Sequence, residues 1–388
     1  MRKISADYIF PGNAAPIKNG VVVVDNNGVI VNLIDPELND ISLDEVEKYH
    51  GIICPGFINT HCHLELSYLK KQLPEHTQLH NFVKEIVSIR NNYTLEERLN
   101  AIDKAEQEML NNGIVAVGDI INGNTTISIK EKKQLKYHNF IEVFGLDPST
   151  SKEIMTHADN LKQSFQQSNS TSITPHAPYS ISPALFQLVN EANEPLLTIH
   201  NQETVSENEL FTSRSGYLFN QLVNISEHIK TWKPTGKNSL PSYLTQFSPH
   251  QKTLLVHNTY TSLEDVTFAK NYSGNIYWCF CPNANLYIEN SLPNFDLFIN
   301  EKCTIGTDSL ASNWSLSILD ELKTIHKTAP IIPLEKLIQW ATFNGAEFLG
   351  FEQLGSIEIG KSPGLNLITD VDIETLSLNP NSSIQVLK

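Results

Sequence analysis

Short apolar runs that end in a polar side chain recur along the middle of the chain. Each run has the length and the β-branched content of a buried strand. Four runs close on residue types that bind metal ions: IICPGFINTHCH on His61 and His63, PLLTIH on His200, TLLVH on His257, and CTIGTD on Asp308. Polar side chains at the carboxyl ends of parallel strands are typical of a β/α-barrel active site, so we predict that these five side chains meet.

Four further runs bring the number of predicted strands to eight. They are GIVAVGD ending at Asp119, FIEVFGLD ending at Asp147, SITPH ending at His176, and NIYWCFCPNAN. Stretches such as TLEERLNAIDKAEQEMLNNG and SPALFQLVNEAN lie between them and repeat apolar residues at three-to-four spacing, which indicates helices. Eight strands alternating with helices predict an α/β fold, a (β/α)8 TIM-like barrel over residues 54–350.

The two ends of the chain have a different pattern. Residues 1–53 read as short strands, with a hairpin around the turn Asn26-Asn27-Gly28, and GSIEIGKSPGLNLITD near the C-terminus is also strand-like. We predict that residues 1–53 and 351–388 form a composite β-sandwich domain. Residues 204–251 are too long for a simple strand connection, and a substrate lid and a peripheral helical insertion are both compatible with their composition.

Composition narrows the class of partner. The 388 residues include 28 basic and 43 acidic side chains, a formal charge of -15. Binding to nucleic acid backbones needs the opposite sign, and no apolar run reaches membrane length, so we expect a small-molecule substrate with no nucleic acid and no membrane partner. Five cysteines without paired spacing fit a reducing compartment, and no signal-peptide segment follows the N-terminus, so we expect a cytoplasmic protein.

His61 and His63 lie two residues apart on a predicted strand, so both rings point to one face and can share a metal ion. The surrounding run PGFINTHCHLELS resembles the pattern PGFxNxHxHxxxS of the amidohydrolase superfamily. TPHAPYSIS, CPNANLYI and HLELSYLKKQLPEHTQLHNFVKEIV resemble segments of its deaminase branch, which acts on S-adenosylhomocysteine, 5'-methylthioadenosine and aminodeoxyfutalosine. The resemblance runs from Cys54 to about Gly350, with Ala284 where serine is usual.

The resemblance implies a set of metal ligands: His61, His63, His200 and Asp308. Three imidazoles and a carboxylate suit Zn2+, with Fe2+ or Mn2+ as alternatives. Members with two ions usually carry a lysine at the end of the fourth strand, where this chain has His176, so we expect one divalent metal ion.

The resemblance also implies roles for the other polar residues of these motifs. Glu203, in the HxxE that starts at His200, is the expected proton carrier; His257 and Asp308 are the other expected catalytic residues. The expected substrate-binding residues are His176, Glu65 and Asn285. His176 as a cap of backbone groups and Glu65 as a helix cap are the plainer alternatives.

The function implied by the resemblance is hydrolytic deamination of a purine-type base or nucleoside with release of ammonia. A metal-dependent hydrolase of a cyclic amide or a carbon-halogen bond is one alternative. A metal-binding scaffold without catalysis is another, and it predicts a lost ligand or proton carrier that the sequence does not show. The resemblance leaves open whether the chain forms a homodimer.

Overall fold

The computed structural model describes residues 1–38, 45–165 and 170–387. Seven short strands precede the first metal-ligand motif: β1 (Arg2–Ser5), β2 (Tyr8–Ile9), β3 (Ile17–Lys18), β4 (Val21–Val24), β5 (Ile30–Ile34), β6 (Val46–Lys48) and β7 (Ile52–Pro55). One sheet has the order β5-β4-β1-β6. The predicted hairpin joins β4 to β5, and the Asp25 carboxylate accepts the amides of Asn27 and Val29 at 2.8 and 2.9 Å inside its turn.

Eight strands follow, and they pair in parallel. They are β8 (Phe57–Cys62), β9 (Ile114–Ile121), β10 (Lys136–Val143), β11 (Ser170–Pro175), β12 (Leu196–Asn201), β13 (Lys252–His257), β14 (Ile276–Phe280) and β15 (Cys303–Ile305). They form two four-stranded sheets, of order β11-β10-β9-β8 and β12-β13-β14-β15. All eight strand predictions therefore correspond to strands of the structure.

Several strand boundaries differ from the sequence prediction; NIYWCFCPNAN, for example, is a strand only as far as Phe280. The run IICPGFINTHCH forms two strands, because the chain breaks at Gly56 and only the part after it joins the parallel sheet. A Cβ atom at Gly56 would lie 2.3 Å from Val115 Cγ1, so the chain needs a glycine where it passes from β7 to β8. The run FIEVFGLD stops being a strand at Val143, and Asp147 instead caps the next turn by accepting the Ser149 amide at 2.9 Å.

The two parallel sheets contact each other along both outer edges. Between β8 and β15, the amides of Thr307 and Asp308 donate to the His61 carbonyl at 3.1 and 3.0 Å. Between β11 and β12, the His200 amide donates to the His176 carbonyl at 2.9 Å. Each contact joins strands whose carboxyl ends carry predicted site residues.

The C-terminal strands β16 (Leu365–Thr369) and β17 (Ser383–Leu387) complete a mixed sheet of order β17-β16-β7-β2-β3. This sheet therefore combines strands from both ends of the chain, and the composite β-sandwich domain stays a prediction. Its buried side chains share one apolar cluster with the first sheet; members from both sheets include Val22, Ile53, Leu367 and Leu387.

Helices connect the parallel strands. They are α1 (Leu79–Ile89), α2 (Leu95–Asn111), α3 (Ile127–Lys130), α4 (Ser151–Phe165), α5 (Pro183–Glu191), α6 (Val205–Ser213), α7 (Gly216–Ile225), α8 (Glu227–Thr231), α9 (Ser239–Tyr243), α10 (Leu263–Tyr272), α11 (Pro282–Glu289), α12 (Ile318–Thr328), α13 (Leu334–Ala341) and α14 (Phe343–Leu349). The predicted helices match α2 and α5. Thr94 and Glu97 form a capping box that starts α2, and Gly113 follows its end at φ 73°.

The segment 204–251 is largely helical and holds α6 to α9. Its apolar side chains pack with Leu146 and Tyr179 of neighbouring loops. A role as a lid stays a prediction. Among the described residues, every helix is too short or too polar to span a lipid bilayer.

Candidate active site

The predicted ligands lie at the carboxyl ends of β8, β12 and β15. His61 is fully buried on β8 and His63 follows that strand directly. His61 Nε2 lies 3.2 Å from His63 Nε2, and Asp308 Oδ1 lies 3.6 Å from the first nitrogen and 3.3 Å from the second. The structure thus brings together three donor atoms from distant parts of the chain, because Asp308 lies 247 residues after His61.

His200 completes this cluster. The nitrogen donors of His61, His63 and His200 lie within 4.8 Å of one another. His200 Nδ1 is 2.8 Å from the His176 carbonyl oxygen, which fixes this nitrogen as the protonated one and leaves Nε2 with a free lone pair. The His176 carbonyl therefore holds the His200 ring in one tautomer and one orientation, as hydrogen-bond acceptors beside metal-binding imidazoles usually do.

Asp308 follows β15 in a left-handed conformation, with φ 56°. Its Oδ1 faces the two histidines, and its Oδ2 accepts a hydrogen bond from Ser312 Oγ at 2.7 Å. The serine hydroxyl therefore orients the carboxylate and leaves one oxygen for the cluster. Sequence reasoning missed Ser312, although the DxxxS spacing places it one turn after Asp308.

The donor set fits a divalent metal ion. Zinc-nitrogen bonds of about 2.0–2.1 Å place two ligands of a tetrahedral ion roughly 3.3 Å apart. The three observed separations, 3.2, 3.3 and 3.6 Å, lie close to that value. Burial also lowers the pKa of His61 to about 4, so its imidazole is neutral at neutral pH, which is the form that binds metals.

The carboxylate of this set is ionised. Burial alone would raise the pKa of Asp308, but the hydrogen bond from His61 and the nearby rings of His63 and His257 outweigh it and hold the pKa well below its usual range. The pKa of His200 is likewise held well below its ordinary value by burial and by the surrounding imidazoles. His61 and His200 therefore offer neutral nitrogens to the cluster, and Asp308 offers a charged oxygen.

His257 lies at the end of β13, next to this cluster. Its Nδ1 is 2.8 Å from Asn285 Oδ1 and its Nε2 is 3.7 Å from Glu203 Oε1. The side-chain oxygen of Asn285, a predicted substrate-binding residue, therefore accepts a hydrogen bond from His257. Its substrate role stays a prediction.

Glu203 follows β12 and is 5% exposed. Burial, together with the charges of Asp308 and Glu289, raises its pKa well above the ordinary value. A carboxyl group with a raised pKa is suited to donate a proton and take it back. The preceding residue, Gln202, has φ 47°, so the chain turns sharply and directs Glu203 back toward the ligands.

The remaining predicted residues lie on the other side of the cluster. His176 follows β11, with its ring centroid 4.7 Å from that of His200 and its Nδ1 2.8 Å from Ser180 Oγ. Glu65 lies in the 3-10 turn after His63, and partial burial raises its pKa to about 7. Its Oε1 accepts the amide of Asn122 at 3.2 Å, a contact to the end of β9 rather than a cap of its own turn.

Sequence reasoning missed Glu142 on β10. Its side chain is 5% exposed, and its Oε1 lies 3.7 Å from His200 Nδ1. Burial raises its pKa above the ordinary value. The alternation of FIEVF could have placed Glu142 on the inner face of the strand, but one glutamate in an apolar run carries no motif of its own.

Comparison with known proteins agrees with these motifs. Residues 52–388 match the family model described as the amidohydrolase family. A curated relative, 5-methylthioadenosine/S-adenosylhomocysteine deaminase of Bacillus cereus (strain G9842), is 24% identical over 368 residues, which cover 89% of this chain and 79% of the relative.

Two solved structures share the fold. The crystal structure of Helicobacter pylori aminofutalosine deaminase in complex with methylthio-coformycin superposes with a TM-score of 0.79 at 24% identity, covering 98% of this chain and 94% of that one. The structure of an adenosine deaminase from Xanthomonas campestris with bound zinc has a TM-score of 0.74 at 19% identity, covering 99% and 91%.

Proposed function

We propose that this chain, which belongs to the amidohydrolase family, is a metal-dependent aminohydrolase that removes the exocyclic amino group of a purine nucleoside as ammonia. The observation that carries the proposal is the position of Glu203. Burial raises the pKa of its carboxyl group well above the usual value, and the group lies 3.7 Å from His257 beside the donor cluster of His61, His63, His200 and Asp308. Hydrolysis of an amidine needs such a proton carrier beside the site of water attack.

The proposed architecture follows from the strand contacts. The eight parallel strands and their hydrogen bonds along both edges support a closed (β/α)8 barrel over residues 54–350, with the active site at its carboxyl end. The mixed sheet built from both ends of the chain supports a composite β-sandwich of residues 1–53 and 351–388.

We assign the binding of one divalent ion, zinc by preference, to His61, His63, His200 and Asp308. Such an ion would acidify a water molecule and so provide the nucleophile at neutral pH. The named zinc-bound neighbour and the neutral imidazoles support zinc, and the same nitrogen and oxygen donors accept iron or manganese.

In the proposed reaction, Asp308 and His257 hold the attacking water molecule against the carbon that bears the amino group. The water adds to this carbon, and its proton passes to Asp308. Glu203 donates its proton to the neighbouring ring nitrogen, which takes up the electron pair of the ring double bond. Asp308 then passes its proton to the amino group, the carbon-nitrogen bond breaks, and ammonia leaves. The hydroxyl group on the same carbon returns its proton to Glu203 and becomes the ring carbonyl.

Alternative hydrolyses of a cyclic amide or a carbon-halogen bond would use the same cluster without releasing ammonia. A non-catalytic scaffold is disfavoured, because the ligand set and the proton carriers are all present and in contact. The exact base or nucleoside and a homodimeric assembly stay open predictions.

A panel of substrates tests the function. Zinc-loaded protein is incubated with adenosine, S-adenosylhomocysteine, 5'-methylthioadenosine, aminodeoxyfutalosine, guanine and cytosine, and ammonia and substrate are both measured. We expect ammonia in step with the loss of at least one purine nucleoside, and no release after chelation. Loss of substrate without ammonia would favour the alternative hydrolyses.

A further inference from the structure

A second polar group lies near the cluster, at the ends of β9 and β10. Asn122, directly after β9, connects two carboxyl groups there: its amide donates to Glu65 Oε1 at 3.2 Å, and its side-chain nitrogen donates to Glu142 Oε2 at 3.3 Å. His176 lies beside Glu142, because one possible ligand atom from each of Glu142, His176 and His200 lies within 4.8 Å of the other two. The proposed reaction uses neither carboxyl group.

Glu142 is not the group that orients His200. The His200 Nδ1 proton is directed to the His176 carbonyl at 2.8 Å, whereas Glu142 Oε1 is 3.7 Å away, which is beyond hydrogen-bond distance. The Asn122 side-chain amide divides its donation between Oε2 and the Glu142 backbone carbonyl, both at 3.3 Å. A carboxyl group that is nearly buried thus keeps acceptor capacity that the protein does not fill.

The surroundings of Glu142 are open on the solvent side. Glu65 and His176 are half-buried, and Phe144, two residues beyond Glu142 on the same face of the chain, is 54% exposed. The Phe144 ring stands edge-on to the His176 ring, 6.1 Å between centroids. Partly exposed side chains therefore surround the nearly buried carboxyl group of Glu142.

We propose that Glu142 and Glu65 accept hydrogen bonds from the vicinal hydroxyl groups of a ribose, so that the enzyme selects ribonucleosides over deoxynucleosides and free bases. This inference rests on the proposed function. Two acceptors held at neighbouring positions by one asparagine match two neighbouring O–H donors, and bonds to carboxylates are stronger than those between neutral groups.

Selection follows from the cost of leaving these acceptors empty. A substrate without the hydroxyl groups would displace solvent from Glu142 and return no hydrogen bond, and unpaired buried acceptors reduce binding strongly. A base without a sugar would leave both acids unfilled. Glu142 and Glu65 therefore select the substrate and take no part in breaking the carbon-nitrogen bond.

Nucleosides that lack one hydroxyl group test the proposal. The values of kcat/KM are measured for the ribonucleoside that gives most ammonia, for its 2'-deoxy and 3'-deoxy forms, and for its free base, in the wild type, Glu142→Gln and Glu65→Gln. Glu131→Gln, an exposed site on the outside of the molecule, is the matched control. Thermal unfolding and metal content are recorded for every variant.

We expect the Glu142→Gln change to lower kcat/KM for the ribonucleoside roughly 10- to 100-fold and to change the value for at least one deoxy form less than about threefold. An equal loss for all four substrates would overturn the proposal, because Glu142 would then act through His200. A second metal ion in the wild type that Glu142→Gln lacks would also overturn it, since Glu142 would then be a ligand.

Measuring nucleoside binding without turnover distinguishes failure of this inference from failure of the proposed function. Calorimetry with the ribonucleoside and its deoxy forms measures recognition of the sugar even if the wild type releases no ammonia. Tighter binding of the ribonucleoside that is lost in Glu142→Gln supports the sugar site on its own. Equal binding of all forms contradicts it, whatever the activity.

Discussion

His257 depends on a single neighbour for its orientation. The neutral imidazole has one donor and one acceptor nitrogen, and the contact of Nδ1 with Asn285 Oδ1 at 2.8 Å assigns the proton to Nδ1. The lone pair of Nε2 is then available on the side of Glu203 and the attacking water. Asn285 is therefore best understood as a positioning residue for His257.

Replacing Asn285 by alanine should lower kcat roughly 10- to 100-fold, the range seen when a residue that orients a site histidine is removed, and leave KM nearly unchanged. Asn285→Asp keeps an acceptor at the same place and should recover part of the loss. Steady-state kinetics of both variants check this. A change in KM alone would instead support the substrate contact that the sequence suggested.

Glu203→Gln should separate proton transfer from metal binding. The amide keeps the size of the side chain but cannot deliver a proton, so we expect kcat to fall roughly 10²- to 10⁴-fold. Elemental analysis should still find the wild-type metal content, because Glu203 is absent from the cluster of His61, His63 and His200. Retained turnover would rule out the proton-carrier role.

The metal ligands that the sequence predicted share one property: each ends an apolar run. That position is visible locally, which is why His61, His200 and Asp308 were predicted together. Asn122, Glu142 and Ser312 were missed because their importance comes from contacts that only the folded chain creates, such as the Asn122 bonds to Glu65 and Glu142, 57 and 20 residues away.

At the scale of elements, the insertion of α6 to α9 is connected to the turn that carries Glu203. The Gln202 amide donates to Glu207 Oε1 of α6 at 3.0 Å, and Tyr243 at the end of α9 donates its hydroxyl proton to Asn201 Oδ1 at 2.9 Å. Because Gln202 adopts a left-handed conformation, these bonds hold a turn that would otherwise relax. The insertion therefore supports the catalytic turn, whether or not it also closes over substrate.

Glu207→Ala should lower kcat by about tenfold, since a small displacement of a catalytic group is costly. Glu207→Gln keeps an oxygen acceptor for the Gln202 amide and should restore most of the activity. Metal content should be normal in both. Equal activity of Glu207→Ala and the wild type would show that the turn holds its shape without this bond.

Gly306 is the point at which β15 comes close enough to β8 for Asp308 to reach the histidines. A Cβ atom there would lie 2.8 Å from His61 Cβ and 3.0 Å from Cys279 Sγ. Gly306→Ala should cost about 1–3 kcal/mol of unfolding free energy through overpacking, and it should weaken metal binding by displacing His61.

Gly274→Ala is the matched control for this change. A Cβ atom at Gly274 meets nothing within 4 Å, so denaturant unfolding and metal affinity should stay at wild-type values. Wild-type metal affinity in Gly306→Ala would contradict the proposed dependence of the ligand geometry on this close approach.

Element identity was more predictable than element ends. Apolar periodicity predicts the eight strands and α2, because the spacing of apolar residues in the local sequence depends on whether an element buries one face or both. The break at Gly56 was not predicted, since both halves of IICPGFINTHCH are apolar and only their partners differ: Ile52–Pro55 pairs with β2 and β16, whereas Phe57–Cys62 pairs with β9. Pairing over long sequence distances leaves no local signal.

For the whole molecule, the proposed metal ligands lie in two separate parallel sheets. His61 and His63 belong to the sheet of β8 to β11, while His200 and Asp308 lie at opposite edges of the sheet of β12 to β15. An ion held by these four side chains would join the two sheets at one end. Its binding free energy would then contribute to the stability of the entire fold.

Removing the metal should therefore destabilise the protein. With free ion at 100 to 1,000 times its dissociation constant, linkage predicts a loss of about 3–4 kcal/mol on chelation, because only the folded chain gathers the ligands. Differential scanning calorimetry of the loaded and the chelated protein would measure it as a lower Tm. Asp308→Ala, which lacks one ligand, should unfold at a temperature that responds less to added zinc. An unchanged Tm after elemental analysis has verified metal removal would mean that the two sheets are held at this end by their hydrogen bonds alone.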